Sequence, residues 1–168
     1  MHTNKRNFVS VFLFLIIYFF STDTIAAPKY SSFSLDAISG EILHNNRGFQ
    51  ARYPASLTKV MTLYLIFEDL EDGKIQKSDL VTFSRNASSM PASKLGLAPG
   101  ETITLSNAIK ALAIKSANDV ATAIAEHLSG TEENFATRMT NKARELGMYQ
   151  TSFRNASGLH NNLSLIHI

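Results

Sequence analysis

The stretch YPASLTKVMTLYLIFEDLEDG, residues 53–73, decides how this chain is read. From Leu57 to Leu70 apolar side chains fall on nearly every helical face, which predicts a helix buried all round, the central helix of a domain. Pro54 suits the turn before it, and Asp72-Gly73 ends it. Two polar residues, Ser56 and Lys59, stand at its head. Residues three apart share a helix face, so the hydroxyl and the amine are neighbours. Burial disfavours the amine's charge, and a neutral amine can take the proton that keeps a serine a poor nucleophile. Backbone N–H groups at a helix start also favour an oxyanion forming beside the serine. A capping serine and a lysine whose head reaches solvent fit the pair at least as well. The pair alone does not choose.

Before the helix, KYSSFSLDAISGEILHNN (residues 29–46) reads as two short strands about a turn at Ser39-Gly40. After it, residues 74–100 carry Pro91, Gly96, Pro99 and Gly100 and read as irregular. Thr104 is predicted to cap a helix bearing Ala108, Ile109 and Leu112, which Ser116-Ala117-Asn118-Asp119 interrupts. Helical spacing resumes through Val120, Ile124 and Leu128 to Gly130. Thr131 caps a last helix with Glu132 and Glu133 in its positive first turn and Phe135, Met139, Ala143 and Leu146 as its buried stripe. A strand is allowed at residues 151–154.

Ser116-Ala117-Asn118 is the second polar cluster. At a break between two apolar helices it can aim a hydroxyl and a carboxamide into one cleft, although both residue types also cap helices. Ser84-Arg85-Asn86 has the same pattern in an irregular loop, so the pattern carries little by itself.

The ends of the chain read differently. Lys5-Arg6, an uncharged apolar run from Phe8 to Phe20, and small residues at Thr24 and Ala26 form the pattern of a cleaved export signal over 1–26. The run has thirteen residues, against about 20 for a membrane span. The terminal LSLIHI, 163–168, resembles the translation of a transposon-derived sequencing adapter and is set aside from the fold.

At 168 residues, with 45% hydrophobic and 18% charged residues, one domain with a real core is expected. Without the first 26 residues, 14 basic and 13 acidic side chains remain, so no electrostatic footprint for nucleic acid is present. There is no cysteine, which excludes disulfides and thiolate metal sites. His44, His127 and His160 are isolated and do not make a metal-ligand cluster by spacing.

Ser-x-x-Lys heading an apolar helix, followed some sixty residues on by Ser-x-Asn, resembles the penicillin-binding and serine β-lactamase superfamily. The blocks PKYSSFSLDAISGEILHNN, RYPASLTKVMTLYLIFE, SKLGLAPGETITL, AIKALAIKSANDVATAIAEHLSG and FRNASGL resemble, within it, the exported low-molecular-mass D-alanyl-D-alanine carboxypeptidases. The resemblance implies an α+β chain of the β-lactamase/transpeptidase-like fold, incomplete here. The N-terminal hairpin and the helical part fall within 27–162, a truncated catalytic domain, and later sheet strands are missing.

It also implies roles. Ser56 is the acylated nucleophile, with its backbone N–H as half of the oxyanion hole; Lys59 is its base, Ser116 a proton relay, and Asn118 a ligand of the peptide amide. The implied substrate is a peptidoglycan stem peptide ending in D-alanyl-D-alanine, β-lactams are mimics held on Ser56, and no cofactor or metal is needed. Location at the periplasm or the outer face of the cytoplasmic membrane is implied, with membrane attachment through a C-terminal segment absent here. The family's third motif, Lys-Thr-Gly, does not occur in these residues. The chain as written is therefore expected to be inactive and unstably folded, its first two strands lacking a neighbour. A non-catalytic binder of cell-wall peptide and a β-lactamase are the alternatives. The second needs a deacylating Glu with Asn four residues on, and no Glu after Asn118 has it.

Overall fold

The computed structural model describes residues 30–160. The export signal expected at 1–26 and the hexapeptide at 163–168 lie outside them. Strands β1 (Ser32–Leu35) and β2 (Ile42–Asn46) pair antiparallel, with Ser32 opposite Asn46 and an irregularity between Ser34 and Leu35. The turn is the one read from Ser39-Gly40. Asp36 Oδ1 accepts from the backbone N–H of Ile38 and Ser39 and from the Ser39 hydroxyl, which fixes the chain reversal.

A 3₁₀ turn, Ala55–Leu57, leads into helix α1, Thr58–Glu71. Its position matches the predicted run; its burial does not. Leu57, Val60, Tyr64 and Phe67 form one exposed stripe, Val60 at 62% and Phe67 at 52%, while Met61, Leu65 and Ile66 face the core. The helix is buried on one side only. The hairpin has an open face as well, with Leu35, Ile42 and Leu43 exposed.

The helix surrounded on all sides is α4, Asn118–Ser129, in which every residue from Asn118 to Ala125 is buried. Alanines and Thr122 let neighbouring elements close on it from every direction, whereas a search for large apolar residues points to α1. The segment 74–100 is more regular than expected. It holds β3 (Leu80–Thr82) and the short helix α2 (Arg85–Ser89), and β3 pairs antiparallel with β4 (Thr102–Thr104). Ser84 accepts from Ala87 N at 2.9 Å, so this Ser-x-Asn is a helix cap.

Thr104 caps α3 (Leu105–Lys110), which runs into a π-helical turn, Ala111–Lys115. Thr131 caps α5 (Glu132–Glu145), whose Phe135, Met139 and Ala143 are buried as predicted while Leu146 is exposed. Residues 151–154 form no strand, only an isolated bridge at Ser152. Helix α5 is fastened to α1 by Arg138, which donates to both Asp69 oxygens at 2.6 Å, and by Lys142, 2.7 Å from Glu68. Among the described residues no helix is long and apolar enough to cross a membrane.

Candidate active site

Two backbone irregularities place the site. Ala55 has φ +49, a left-handed conformation costly for any residue with a Cβ, and it turns the chain so that Ser56 lies exposed at the start of α1. Ser116, at the end of the π turn, is left-handed too, with φ +54. π turns inside helices often mark functional positions, because the extra residue displaces a side chain from the regular helix surface. Here the displaced side chain is Ser116. Its hydroxyl is buried and has no hydrogen-bond partner, an arrangement that costs about 1–3 kcal/mol and calls for a functional account.

The capping reading fails for both clusters. The residue capping α1 is Leu57 and the one capping α4 is Ala117, neither with a side-chain cap bond. Lys59 does not reach solvent: it is 3% exposed. Its Nζ donates to Asn118 Oδ1 at 2.9 Å and to the carbonyl of Ser157 at 2.6 Å. Both acceptors are neutral, and burial pushes the Lys59 amine below its ordinary value. Ser56, Ser116, Asn118, Ser157 and Gly158 line one cavity of about 400 Å³, with Tyr53 and His160 at its side. The fold thus brings all four predicted residues together, with Lys59 behind the wall that Asn118 forms. Asn118 is 6% exposed, and its carboxamide is joined at both ends, its Nδ2 donating to Pro91 O at 3.0 Å. One amide N–H remains for a further acceptor.

The wall opposite α1 is built by residues that sequence reasoning passed over. Asp119 is fully buried, and its carboxylate accepts from Leu95 N, Gly96 N and Val120 N, tying the 93–96 loop to the Ser-x-Asn turn. Asn118 N donates to Ser93 O, and the Ser93 hydroxyl to Lys115 O. The segment 155–159 lies against the turn that carries Ser56. Asn155 Oδ1 accepts from Gly158 N at 2.7 Å, closing a tight Asx-type turn. A Cβ at Gly158 would meet the Ala55 carbonyl oxygen at 1.8 Å. Asn-Ala-Ser-Gly was legible as a turn; that its backbone carbonyl would hold Lys59 was not. A second cleft, about 340 Å³, lies between α5 and residues 152–154 and holds none of the four.

Comparison with known proteins identifies the family and the fold. Residues 20–165 match the family model described as D-alanyl-D-alanine carboxypeptidase. The D-alanyl-D-alanine carboxypeptidase DacF of Bacillus subtilis is 43% identical over 138 residues, 82% of this chain and 36% of that protein. Penicillin binding protein 5 of Haemophilus influenzae superposes with a TM-score of 0.77 at 31% identity, over 82% of this chain and 41% of that one. Penicillin-Binding Protein D2 of Listeria monocytogenes, solved in an ampicillin-bound form, gives 0.72 at 26% identity, over 82% and 55%. The chain thus spans roughly two fifths of the first two relatives. Its hairpin and helices are part of the penicillin-binding-protein fold, incomplete here, and the chain belongs to the D-alanyl-D-alanine carboxypeptidase family.

Proposed function

We propose that these residues carry the nucleophile side of a serine D-alanyl-D-alanine carboxypeptidase acting on peptidoglycan stem peptides. The observation that carries this reading is the buried Lys59 amine, held by neutral acceptors directly behind a cavity that Ser56, Ser116 and Asn118 line. Ser56 Oγ gives its proton to neutral Lys59 as it attacks the carbonyl between the two D-alanines. The C–N bond breaks, and Ser116 Oγ relays a proton to the departing D-alanine nitrogen. Water then hydrolyses the ester on Ser56 and releases the shortened peptide. Asn118 presents its remaining amide N–H to the substrate, and the Ser56 backbone N–H is one oxyanion donor. A β-lactam would stop at the ester.

The same reading places the protein outside the cytoplasmic membrane, where its substrate is found, with 1–26 as export signal. It assigns neither cofactor nor nucleic acid a role. The strand that would hold the substrate carboxylate has no counterpart motif in these 168 residues. The test compares labelling by a fluorescent penicillin in three proteins: a full-length product of the gene, its Ser56→Ala variant, and the 168-residue chain. Label is expected on the first alone. Label retained by Ser56→Ala overturns the nucleophile assignment, and label on the 168-residue chain overturns the need for a further strand.

A further inference from the structure

Glu132 is the first residue of α5, where a carboxylate is ordinarily a solvated partner of the helix N-terminus. Its bonds run elsewhere. Oε1 accepts from the backbone N–H of Ala156 at 3.0 Å and from the Thr122 hydroxyl on α4 at 3.2 Å. The capping of its own helix is done by Thr131.

The Ala156 N–H leads directly to the candidate base. Ala156 is fully buried, and its own carbonyl accepts from Thr62 Oγ1 on α1 at 2.8 Å. The residue is therefore gripped at both ends, by Glu132 on its N–H and by Thr62 on its C=O. The next carbonyl, that of Ser157, accepts from Lys59 Nζ at 2.6 Å. Peptide units are rigid planes, so the two bonds of Ala156 fix the planes on either side of it, and the Ser157 carbonyl lies in the next plane, whose N–H, that of Gly158, is held by Asn155 Oδ1. Asn155 sets the bend of the same segment through Gly158 N.

We propose that Glu132 is a positioning residue for Lys59, acting through the backbone of Ala156 and Ser157. It touches neither substrate nor nucleophile; it sets the acceptor that aims the amine. The proposal rests on the reading of Lys59 as base. Burial raises the Glu132 carboxyl above its ordinary value, opposed by its bonds to Ala156 N and Thr122 and reinforced by Glu126 and Glu133. A carboxylate kept where its charge is disfavoured, joined to a loop it could be replaced at by any solvent molecule were it exposed, fits a positional role better than a generic first-turn charge.

Two variants of the full-length protein separate reach from charge. Glu132→Gln removes the charge and keeps an oxygen at the same reach. Glu132→Asp keeps the charge and withdraws it by one methylene, and Asp is well tolerated in a first helical turn. The acylation rate with a fluorescent penicillin is measured across pH, with melting curves to verify folding. Glu132→Gln should keep the wild-type rate and profile. Glu132→Asp should slow acylation roughly 10- to 100-fold, the scale of an ångström-sized misplacement. The acid limb of its profile, where neutral Lys59 is lost to protonation, should move to lower pH, because Lys59 loses an acceptor that favours its charged form. A purely structural role would change melting and leave that limb in place.

An Asp variant with the wild-type rate and limb overturns the proposal. A slow Gln variant overturns it as well, since charge and not reach would then matter. Failure of the underlying reading shows separately, as wild-type protein that takes no label or a Ser56→Ala variant that still does.

Discussion

Gly158→Ala tests the closest approach in the site. Gly158 has φ +78, and the Cβ of an alanine there would lie 1.8 Å from the Ala55 carbonyl oxygen, 2.5 Å from its carbon and 2.7 Å from Thr58 Oγ1. Real Cβ contacts essentially never fall below 3.0 Å, so the two backbones must part by at least 1.2 Å. Neither is a flexible side chain; one of them is the turn that presents Ser56. The left-handed conformation alone costs an alanine about 1–2 kcal/mol. Forcing the backbones apart adds about 1–3 kcal/mol on the scale of overpacking. Gly147→Ala is the control, with φ +84 and nothing within 4 Å of its Cβ, so it carries the conformational cost without the clash. In the full-length protein, chemical denaturation should show Gly158→Ala to be the less stable of the two, the difference measuring the clash. Its acylation by a fluorescent penicillin should fall by roughly 10²-fold, since the shift moves the nucleophile by about an ångström, while Gly147→Ala keeps the wild-type rate. A Gly158→Ala protein as stable and as reactive as Gly147→Ala would refute the packing of 155–159 on the nucleophile turn.

Asn118→Asp places a carboxylate where Lys59 Nζ now meets a neutral oxygen at 2.9 Å. An opposite charge at that range raises a lysine by about 1–3 pKa units; the acid limb of the acylation profile, set below 10.5 in the wild type by burial of Lys59, should move up, and an unmoved limb refutes Lys59 as the titrating base. Asp69→Ala should destabilise the protein by about 2 kcal/mol in urea unfolding, below the usual 3–5 for breaking a buried pair because the Arg138 side chain is 29% exposed; no loss would mean that α1 and α5 are held by packing alone. Glu132 supplies a stability test of opposite slope. Its folded value is raised, so the favourable state is protonated, present in full below 4.5 and lost as pH rises through the folded value. Glu132→Gln should therefore match the wild type in acid and equal or exceed its melting temperature at neutral pH; a melting deficit confined to neutral pH contradicts the burial of the carboxylate.

What could be read from the sequence was whatever has a local cause. The hairpin followed from alternation and its turn, and Thr104 and Thr131 are caps as read. The reach of α1 came within a residue of Leu57–Leu70. Ser116 and Asn118 were found because the apolar period breaks there. Burial was misread because it is relational. Three large apolar residues of α1, and Leu57 just before it, stay exposed, while small residues of α4, weak by any hydrophobicity count, sit at the centre. The three-residue strands β3 and β4 are too short to show a period. The Ser157 carbonyl is invisible in principle, since every residue has one, and Glu132 looked like any first-turn acid.

Lysines elsewhere in the chain show what makes Lys59 different. Lys142 lies between Glu68 and Glu145, and Lys74 beside Asp72; the carboxylates raise both amines and fix them in the charged state. Lys59 is shifted the other way because burial disfavours its charge, and its partners, a carboxamide and a peptide carbonyl, supply no counter-charge to offset it. A carboxylate is nevertheless one residue away. Asp119 follows Asn118 in α4, and successive helical residues point about 100° apart. The acid is thus turned to the amides of Leu95 and Gly96 while the amide is turned to the amine. Exchange of those two side chains would pair Lys59 with an anion, raise its pKa and keep it protonated. Ser-x-x-Lys spacing puts the two residues on one helix face, but the register of Asn118-Asp119 on α4 decides whether the amine faces a carboxamide or an anion.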